Sequence, residues 1–221
     1  MGALAKAGDA FEEQACIGAL PALADVTFVR GLLAHESPRA RRAALHLLDQ
    51  PPFATLRFDY LTGPLGDSDT AMSTGAGRLL ERHGDWAGDA LPWLRKQLAV
   101  TPSGDGSFSA LSALFVAFQS HAEVRGLISA QLAPDAPTPA RAGVFLLNLL
   151  PSLTAAKPEA AWLRAVPPAL ADPALRVASL SAATAYPGPE FAPLLAKLAE
   201  NPGVAAPQRL PAARIRRDSR Y

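Results

Sequence analysis

The stretch "SPRARRAALHLLDQ", residues 37–50, predicts a helix, and its pattern decides the fold of the chain. Ser37 is a good N-cap, and Pro38 suits the first helical position because its missing N–H has no intrahelical partner there. Small and aliphatic side chains then recur at helical spacing and form one apolar stripe: Ala40, Ala43, Ala44, Leu47 and Leu48. The polar residues fall on the opposite side, so the stretch predicts a helix with one packed face and one solvated face: Arg39, Arg42, His46 and Asp49.

The composition favours an all-α protein. At 221 residues the chain is long enough for one large or two small domains with a buried core. Aromatic residues make up only 7%, and no alternating strand pattern persists. The 21 prolines would interrupt long helices, but they fit many short helices that each begin or end at one. The formal net charge of +1 gives no general attraction to nucleic acid or to an anionic membrane.

No targeting or membrane signal is predicted from the sequence. Glu12 and Glu13 lie where a signal peptide needs its apolar core, and no run of about 18 apolar residues indicates a transmembrane helix. We therefore expect a cytoplasmic protein if the chain is complete, and a periplasmic one if it is a fragment of an exported parent. Cys16 has no second cysteine to pair with and is predicted to be an inert buried thiol.

The opening pattern returns near the end of the chain. "ADPALRVASLSAATAY", residues 171–186, predicts a helix with Asp172 as its cap and Pro173 at its first position. When Pro173 is superposed on the proline of the first copy, Arg176 falls on Arg41. The same arrangement of cap, proline and arginine therefore occurs twice, which indicates an internal repeat.

Two further copies fill the interval. "PTPARAGVFLLNLL", residues 137–150, has Arg141 ahead of an apolar run, and "DSDTAMSTGAGRLLERHG", residues 67–84, is weaker, with Asp69 as its cap and Ser73 at the arginine position. The steps from 41 to 73, from 73 to 141 and from 141 to 176 are 32, 68 and 35 residues, and 68 is two steps of 34. The sequence therefore repeats with a period near 34 residues.

Each copy is followed by a second helical segment, so the repeating unit is predicted to be a helix pair. The second segments are predicted at about 54–65, 86–100, 122–133, 158–166 and 189–200. Such a repeat is typical of an α-solenoid, here a single domain over residues 1–221 with about five to six helix pairs. Pro167 and Pro168 are expected to shorten or bend their helix, and the last unit, about 201–221, is expected to be incomplete or frayed.

The unit Asp-Pro-x-x-Arg, followed by small and aliphatic residues, resembles HEAT repeats. The resemblance implies an α-α superhelix in which the arginine braces neighbouring units through an acidic or carbonyl partner. Arg41, Arg141 and Arg176 are therefore expected to be structural braces rather than ligand-binding residues.

Residues 9–100 resemble a narrower group, the HEAT segment of large multidomain membrane-bound dehydrogenase-like proteins. In those proteins a β-propeller precedes the helical array and a c-type cytochrome domain follows it. The matching features are the Leu-Asp-Gln end of a helix at 48–50 and the Arg-His-Gly-Asp-Trp turn at 82–86. The resemblance implies a segment that joins two such domains. The chain has no CxxCH motif for haem and no blade-like β pattern, so no catalytic or haem residue is carried over.

The sequence predicts no cofactor, metal or catalytic site. The four histidines never occur at metal-ligand spacing, and neither "SGDGS" at 103–107 nor "GAG" at 75–77 has the context of a phosphate loop. No serine lies in a GxSxG motif.

One surface is a candidate for binding a partner. Trp86 and Trp93 are seven residues apart and can share a helix face with Arg95 and Lys96. Tryptophan and arginine are frequent interface anchors. The alternative for this pair is that at least one tryptophan is buried in the core.

Two functions remain open from the sequence. The first is a non-catalytic HEAT scaffold that binds a protein partner or spaces the neighbouring domains of a larger chain. The alternative is a DNA-binding protein resembling the HEAT-like alkylpurine DNA glycosylases, which use a strongly basic groove. The nearly balanced charge of this chain favours the scaffold over nucleic-acid binding.

Overall fold

The computed structural model describes residues 18–19, 22, 24–67, 69–100, 105–154, 157–186 and 188–218. All regular structure in these ranges is helical, which confirms the all-α prediction. The α-helices are α1 (Val26–Gly31), α2 (Pro38–Leu48), α3 (Thr70–Arg82), α4 (Ala87–Ala99), α5 (Asp105–Ala117), α6 (Ala122–Gln131), α7 (Ala140–Leu149), α8 (Ala160–Ala171), α9 (Arg176–Ala185), α10 (Ala192–Glu200) and α11 (Ala206–Asp218). Short 3-10 turns lie at Leu32–Ala34, Phe58–Leu61, Pro64–Gly66, Gly84–Trp86, Leu150–Ser152 and Pro189–Phe191.

The residue contacts divide the chain into two units. Unit 1 comprises Met1–Ala90 and Gly104–Ala117, and unit 2 comprises Leu91–Ser103 and Phe118–Tyr221. Helix α4 begins in unit 1 and continues in unit 2. The prediction of a single solenoid domain over the whole chain stays a prediction.

In unit 1, α2 packs against α1 and α3, and α3 packs against α5. Helix α2 buries the predicted stripe together with one residue outside it: Ala40, Ala43, Ala44, Leu45, Leu47 and Leu48. Leu45 is buried because the helix has neighbours on two sides. The solvated face is correspondingly narrower than predicted. Arg39 is exposed, whereas Arg42 and His46 are half-buried.

The predicted starts of α2 and α3 are correct, but one cap differs in detail. Helix α2 begins at Pro38 with Ser37 at the N-cap, yet the Ser37 side chain makes no capping hydrogen bond. The backbone N–H of Ser37 instead donates to Nδ1 of His35 at 3.0 Å. Helix α3 is capped as predicted, because the Asp69 carboxylate accepts the N–H of Met72 at 2.9 Å.

In unit 2, the helices pack in an alternating order. Helix α9 contacts α7 and α11, and α8 contacts α6 and α10. Helices that follow each other in the chain also pack together, α8 against α9 and α10 against α11. Helices α8 and α9 therefore contact each other, and each also contacts the helices two places before and after it in the chain.

Several polar contacts join residues that are one sequence period apart. The pairs and their separations are Asp49 with His83 (34) in unit 1 and, in unit 2, Arg125 with Glu159 (34), Trp162 with Ser129 (33), Tyr186 with Leu153 (33) and Arg176 with Gln208 (32). Only Arg176 belongs to the arginine positions from which the period was predicted. The separations of these contacts are close to the predicted period of about 34 residues.

The prediction that Pro167 and Pro168 shorten their helix is wrong. Helix α8 runs through Pro167 and Pro168 to Ala171, because Val166, Ala169 and Leu170 around the prolines are all buried. This packing opposes the cost of about 3 kcal/mol that an internal proline imposes on a helix. The last described helix, α11, has thirteen residues, with Ala212 and Ile215 buried after its internal Pro211.

Two predicted helix positions also differ. Helix α9 begins at Arg176 rather than Pro173, because Asp172 accepts the N–H of Ala174 at 2.8 Å and forms a turn there. The segment 54–65 contains two 3-10 turns in place of an α-helix. The Gly63-Pro64 step separates these two turns, and Leu61 and Leu65 are nevertheless buried as an amphipathic helix would bury them.

The Tyr186 hydroxyl joins the end of α9 to the turn after α7 in unit 2. It lies 2.6 Å from the Leu150 carbonyl and 3.0 Å from the Leu153 carbonyl, to which its single proton can donate. Burial raises the pKa of Tyr186 above 10.0.

We expect Tyr186→Phe to lower the free energy of unfolding at neutral pH by about 1 kcal/mol, because the hydrogen bond is lost. The pKa of Tyr186 is higher in the folded than in the unfolded protein. The contribution of its hydroxyl to the free energy of unfolding is therefore present below pH 10 and is lost as pH rises through the folded pKa. Urea unfolding at neutral pH and at about pH 11 checks this, because the variant should lack that part of the alkaline destabilisation. Tyr60→Phe is the control, and an equal change in both variants would contradict the prediction.

Candidate functional site

Arg41 ties the start of α2 to the loop before α3 in unit 1. Its guanidinium donates to the backbone carbonyls of His35 and Glu36, at 3.1 and 3.0 Å. It also donates to the Asp67 carboxylate at 2.8 Å. Arg41 therefore contacts two backbone carbonyls and one acidic side chain, and its role as a brace between repeat units stays a prediction.

Arg176 makes the equivalent contacts in unit 2. It donates to the carbonyls of Leu170 and Ala171, at 3.1 and 3.2 Å, and its third contact is Gln208 at 3.5 Å. In both units the two carbonyls lie six and five residues before the arginine. The two arginines therefore occupy the same position of a repeated local structure. Arg141 is exposed near the start of α7, and its role as a brace stays a prediction.

Asp67 joins the Arg41 contact to the cap of α3. Its Oδ1 accepts the backbone N–H of Asp69 at 2.9 Å, and Asp69 in turn caps the helix. This backbone hydrogen bond lowers the pKa of Asp67 below 3.8, burial partly opposes it, and the Arg41 guanidinium lowers the pKa further. The ionised carboxylate is therefore the form that the fold stabilises.

The lowered pKa predicts a specific loss of stability in acid. The contribution of the Asp67 carboxylate to the free energy of unfolding is fully present above pH 3.8, and it is lost as pH falls through the pKa of Asp67 in the folded protein. We expect Asp67→Asn to cost about 0.5–1 kcal/mol at neutral pH and to remove this part of the acid sensitivity. Unfolding titrations between about pH 5 and pH 3 check this, with the more exposed Asp59→Asn as control. An unchanged acid profile in Asp67→Asn would show that the contact contributes no stability.

The prediction that Asp49 lies on the solvated face of α2 is wrong, because two side chains from the end of α3 cover its carboxylate. The Asp49 side chain is 1% exposed, and it lies 2.9 Å from Nη1 of Arg82 and 2.5 Å from Nε2 of His83. Arg82 and Asp49 form an ion pair but not a hydrogen bond, because Oδ2 of Asp49 accepts no hydrogen bond from a described residue. The signal in the sequence was the separation of Asp49 and His83 by one period.

The His83 ring limits how much of the Trp86 indole a partner protein could contact. The two rings stack with centroids 3.9 Å apart and an interplanar angle of 5°. The pair lies at the turn between α3 and α4. One face of the Trp86 indole is therefore covered.

The four residues predicted to bind a partner are divided between the units. Trp86 lies in unit 1, whereas Trp93, Arg95 and Lys96 lie in unit 2. Trp93 is half-buried, and Arg95 and Lys96 are exposed on α4. The fully buried tryptophan is Trp162 on α8.

Arg95 borders a groove in unit 2, which we call the Arg95 groove. It has a volume of about 500 Å³ and is lined by Leu91 and Arg95 of α4 and by Glu123, Gly126, Leu127, Ala130 and Gln131 at α6. The apolar part comes from leucine and alanine side chains, and the two charges lie on different helices. Among the described residues, neither Arg95 nor Glu123 has a hydrogen-bond or ion-pair partner.

A second groove lies in unit 1, which we call the Arg78 groove. It has a volume of about 630 Å³ and is lined by Leu65, Asp67, Thr70, Ser73, Thr74, Gly77, Arg78, Glu81, Ala110 and Ala113. Its wall on α3 is rich in hydroxyl groups, and its wall on α5 consists of two alanines. Asp67 is already engaged by Arg41.

Within the described ranges, no three His, Cys, Asp or Glu side chains converge as a metal site would require. No described helix is long and apolar enough to cross a membrane.

No protein-family model matches this chain, and neither a curated protein nor a solved structure is detectably similar to it. The resemblance to HEAT repeats therefore rests on the pattern in the sequence itself.

Proposed function

We propose that this protein is a non-catalytic HEAT-repeat scaffold that binds a protein partner or spaces neighbouring domains. The observation that carries the proposal is that Arg41 and Arg176 make the same local contacts. Each guanidinium donates hydrogen bonds to the two backbone carbonyls that lie six and five residues before it. A repeat of this kind predicts stacked helix pairs whose exposed faces form a long surface. Such surfaces are used to bind other proteins.

Two further features support a binding role for the second helices of the pairs. Helices α4 and α6 lie in two segments that the sequence predicts to be second helices, 86–100 and 122–133, and the Arg95 groove lies along them. The groove combines apolar side chains with exposed charges, which is the usual composition of a protein interface. The resemblance of residues 9–100 makes a β-propeller dehydrogenase domain and a c-type cytochrome domain the first partners to test.

The test is a titration of the purified chain with each of these two domains, followed by isothermal calorimetry. We expect one of them to bind, and we expect Trp93→Ala combined with Arg95→Glu and Lys96→Glu to abolish binding. Arg39→Glu, on the exposed face of α2, is the control and should bind normally. Binding that survives the triple variant would contradict the assignment of this surface.

A parallel titration addresses the DNA alternative. The Arg95 groove carries one arginine and one glutamate, so it lacks the positive charge that a groove for duplex DNA needs. We expect no salt-sensitive binding of duplex DNA and no excision of alkylated bases. Excision abolished by mutating one acidic residue of the chain would overturn the scaffold proposal.

A further inference from the structure

The Asp49 carboxylate holds the His83 ring by one of its two nitrogens. Oδ1 of Asp49 lies 2.5 Å from Nε2 of His83, and the Asp49 side chain is only 1% exposed. An ionised carboxylate accepts hydrogen bonds and donates none, so Nε2 carries the proton of the neutral ring. Arg82, at 2.9 Å from Oδ2, pairs with the same carboxylate.

The second nitrogen of the His83 ring is left available. No described residue makes a hydrogen bond to Nδ1, and Nδ1 is not one of the buried side-chain atoms that lack a partner in the described part of the chain. The His83 side chain is 26% exposed. Because Nε2 carries the proton, Nδ1 carries the lone pair. The nucleophilic nitrogen of the ring therefore reaches solvent.

The stacked Trp86 ring orients His83 without blocking Nδ1. The two rings are parallel within 5°, and their centroids are 3.9 Å apart. Stacking covers one face of the imidazole, whereas the lone pair of Nδ1 lies in the plane of the ring. The hydrogen bond at Nε2 and the stacking together restrict the rotation of the ring, so the nucleophilic atom is held in one orientation.

This arrangement has the chemistry of an activated nucleophile. When Nδ1 attacks an electrophile, positive charge develops on the ring, and the carboxylate at Nε2 stabilises that charge. The stabilisation is strengthened by the burial of the carboxylate, because water screens charges poorly there. His35 and His121 lack such a partner, since no described carboxylate contacts either ring, and Nδ1 of His35 already accepts the Ser37 N–H at 3.0 Å.

The charge beside the ring favours a phosphoryl group as the electrophile. Arg82 and His83 contact the same carboxylate, so the guanidinium lies beside the imidazole. The Arg82 side chain is 59% exposed, which leaves N–H groups open to an incoming anion. Guanidinium groups bind phosphoryl oxygens through such N–H groups. Two adjacent residues thus supply a nucleophile and a cation.

We propose that His83 is a phosphoacceptor, which takes a phosphoryl group on Nδ1 from a phosphoramidate or an acyl phosphate. The lone pair of Nδ1 forms the new N–P bond, and the bond from phosphorus to the leaving nitrogen or oxygen breaks. Its electron pair departs with the leaving group, as ammonia from a protonated phosphoramidate or as carboxylate from an acyl phosphate. The proton on Nε2 stays in the hydrogen bond to Asp49. The modification adds a negative group at the turn between α3 and α4, and it does not depend on the proposed scaffold function.

The experiment treats the full chain with potassium phosphoramidate at neutral pH and maps the products by mass spectrometry under alkaline conditions, in which phosphohistidine is stable. We expect a phosphoryl group on His83, formed at least about tenfold faster than on His35 or His121 of the same chain. His83→Gln should abolish this product. Modification of the three histidines at similar rates, or of none of them, would overturn the proposal.

Asp49→Asn tests whether the carboxylate positions and activates the ring. We expect the rate of His83 phosphorylation to fall by about tenfold or more, and nitrogen-15 NMR to show the Nε2–H tautomer in the parent chain and a mixture in the variant. Asp59→Asn, at a carboxylate that is 57% exposed, is the control and should change neither measurement. Circular dichroism establishes that both variants are folded. If Asp49→Asn does not fold, the tautomer and the relative rates in the parent chain decide. An unchanged rate in folded Asp49→Asn, or an Nδ1–H tautomer in the parent chain, would contradict the proposal.

Discussion

Aspartate in place of Ala43 is expected to unfold the chain or to drive it into aggregates. Ala43 is fully buried on α2, which packs against both α1 and α3. A charge without a partner at such a position costs several kcal/mol, against a total stability of about 5–15 kcal/mol for a typical domain. Leu47→Asp, at a position that is 3% exposed, should have a similar effect. Urea titrations followed by circular dichroism measure both.

Arg39→Ala on the same helix is the matched control. Arg39 is exposed, so its replacement should change the free energy of unfolding by no more than about 0.5 kcal/mol. Arg42→Ala and His46→Ala are expected to lie between these extremes, since both side chains are half-buried. Equal destabilisation by Arg39→Ala and Ala43→Asp would mean that the faces of α2 are assigned wrongly.

The second large effect is expected at Trp162. Its side chain is 1% exposed, and its indole N–H donates to the Ser129 hydroxyl at 3.0 Å. Trp162→Ala should cost about 3–5 kcal/mol, because it removes buried apolar area and leaves a cavity. Ser129→Ala removes the hydrogen bond but little volume, so it should cost about 1 kcal/mol.

A double-mutant cycle with Trp162→Phe and Ser129→Ala separates the hydrogen bond from the packing. The phenylalanine keeps much of the buried ring and loses the donor. If Trp162→Ala costs no more than Ser129→Ala, then packing around α8 contributes little, and the core of unit 2 is not where the structure places it.

Sequence reasoning succeeded where short-range contacts decide the structure. The start of α2 at Pro38 and the cap of α3 at Asp69 follow from residues within one helical turn. It failed where distant residues decide. Helix α8 continues through Pro167 and Pro168 because its neighbours bury the surrounding side chains, and no local pattern contains that information.

The candidate site was predictable only in part. The repeated arginine position was visible, but the carbonyls that Arg41 and Arg176 contact depend on the backbone path before each helix. The Asp49 and His83 pair was hidden because it matches no motif, although its spacing equals the period. The sequence predicts Arg95 as a partner-binding residue, but the residues of α6 that line the groove with it depend on the distance between two helices, which no local pattern contains.

We propose that successive helix pairs are equivalent units joined by contacts one period apart. A chain shortened to end at Tyr186, without α10 and α11, tests this most directly. In a stack of repeats each unit contacts only its neighbours, so the remaining pairs should fold. We predict a helical signal reduced in proportion to the residues removed, and a cooperative urea transition with a smaller slope. Loss of the helical signal along the whole shortened chain would contradict the account.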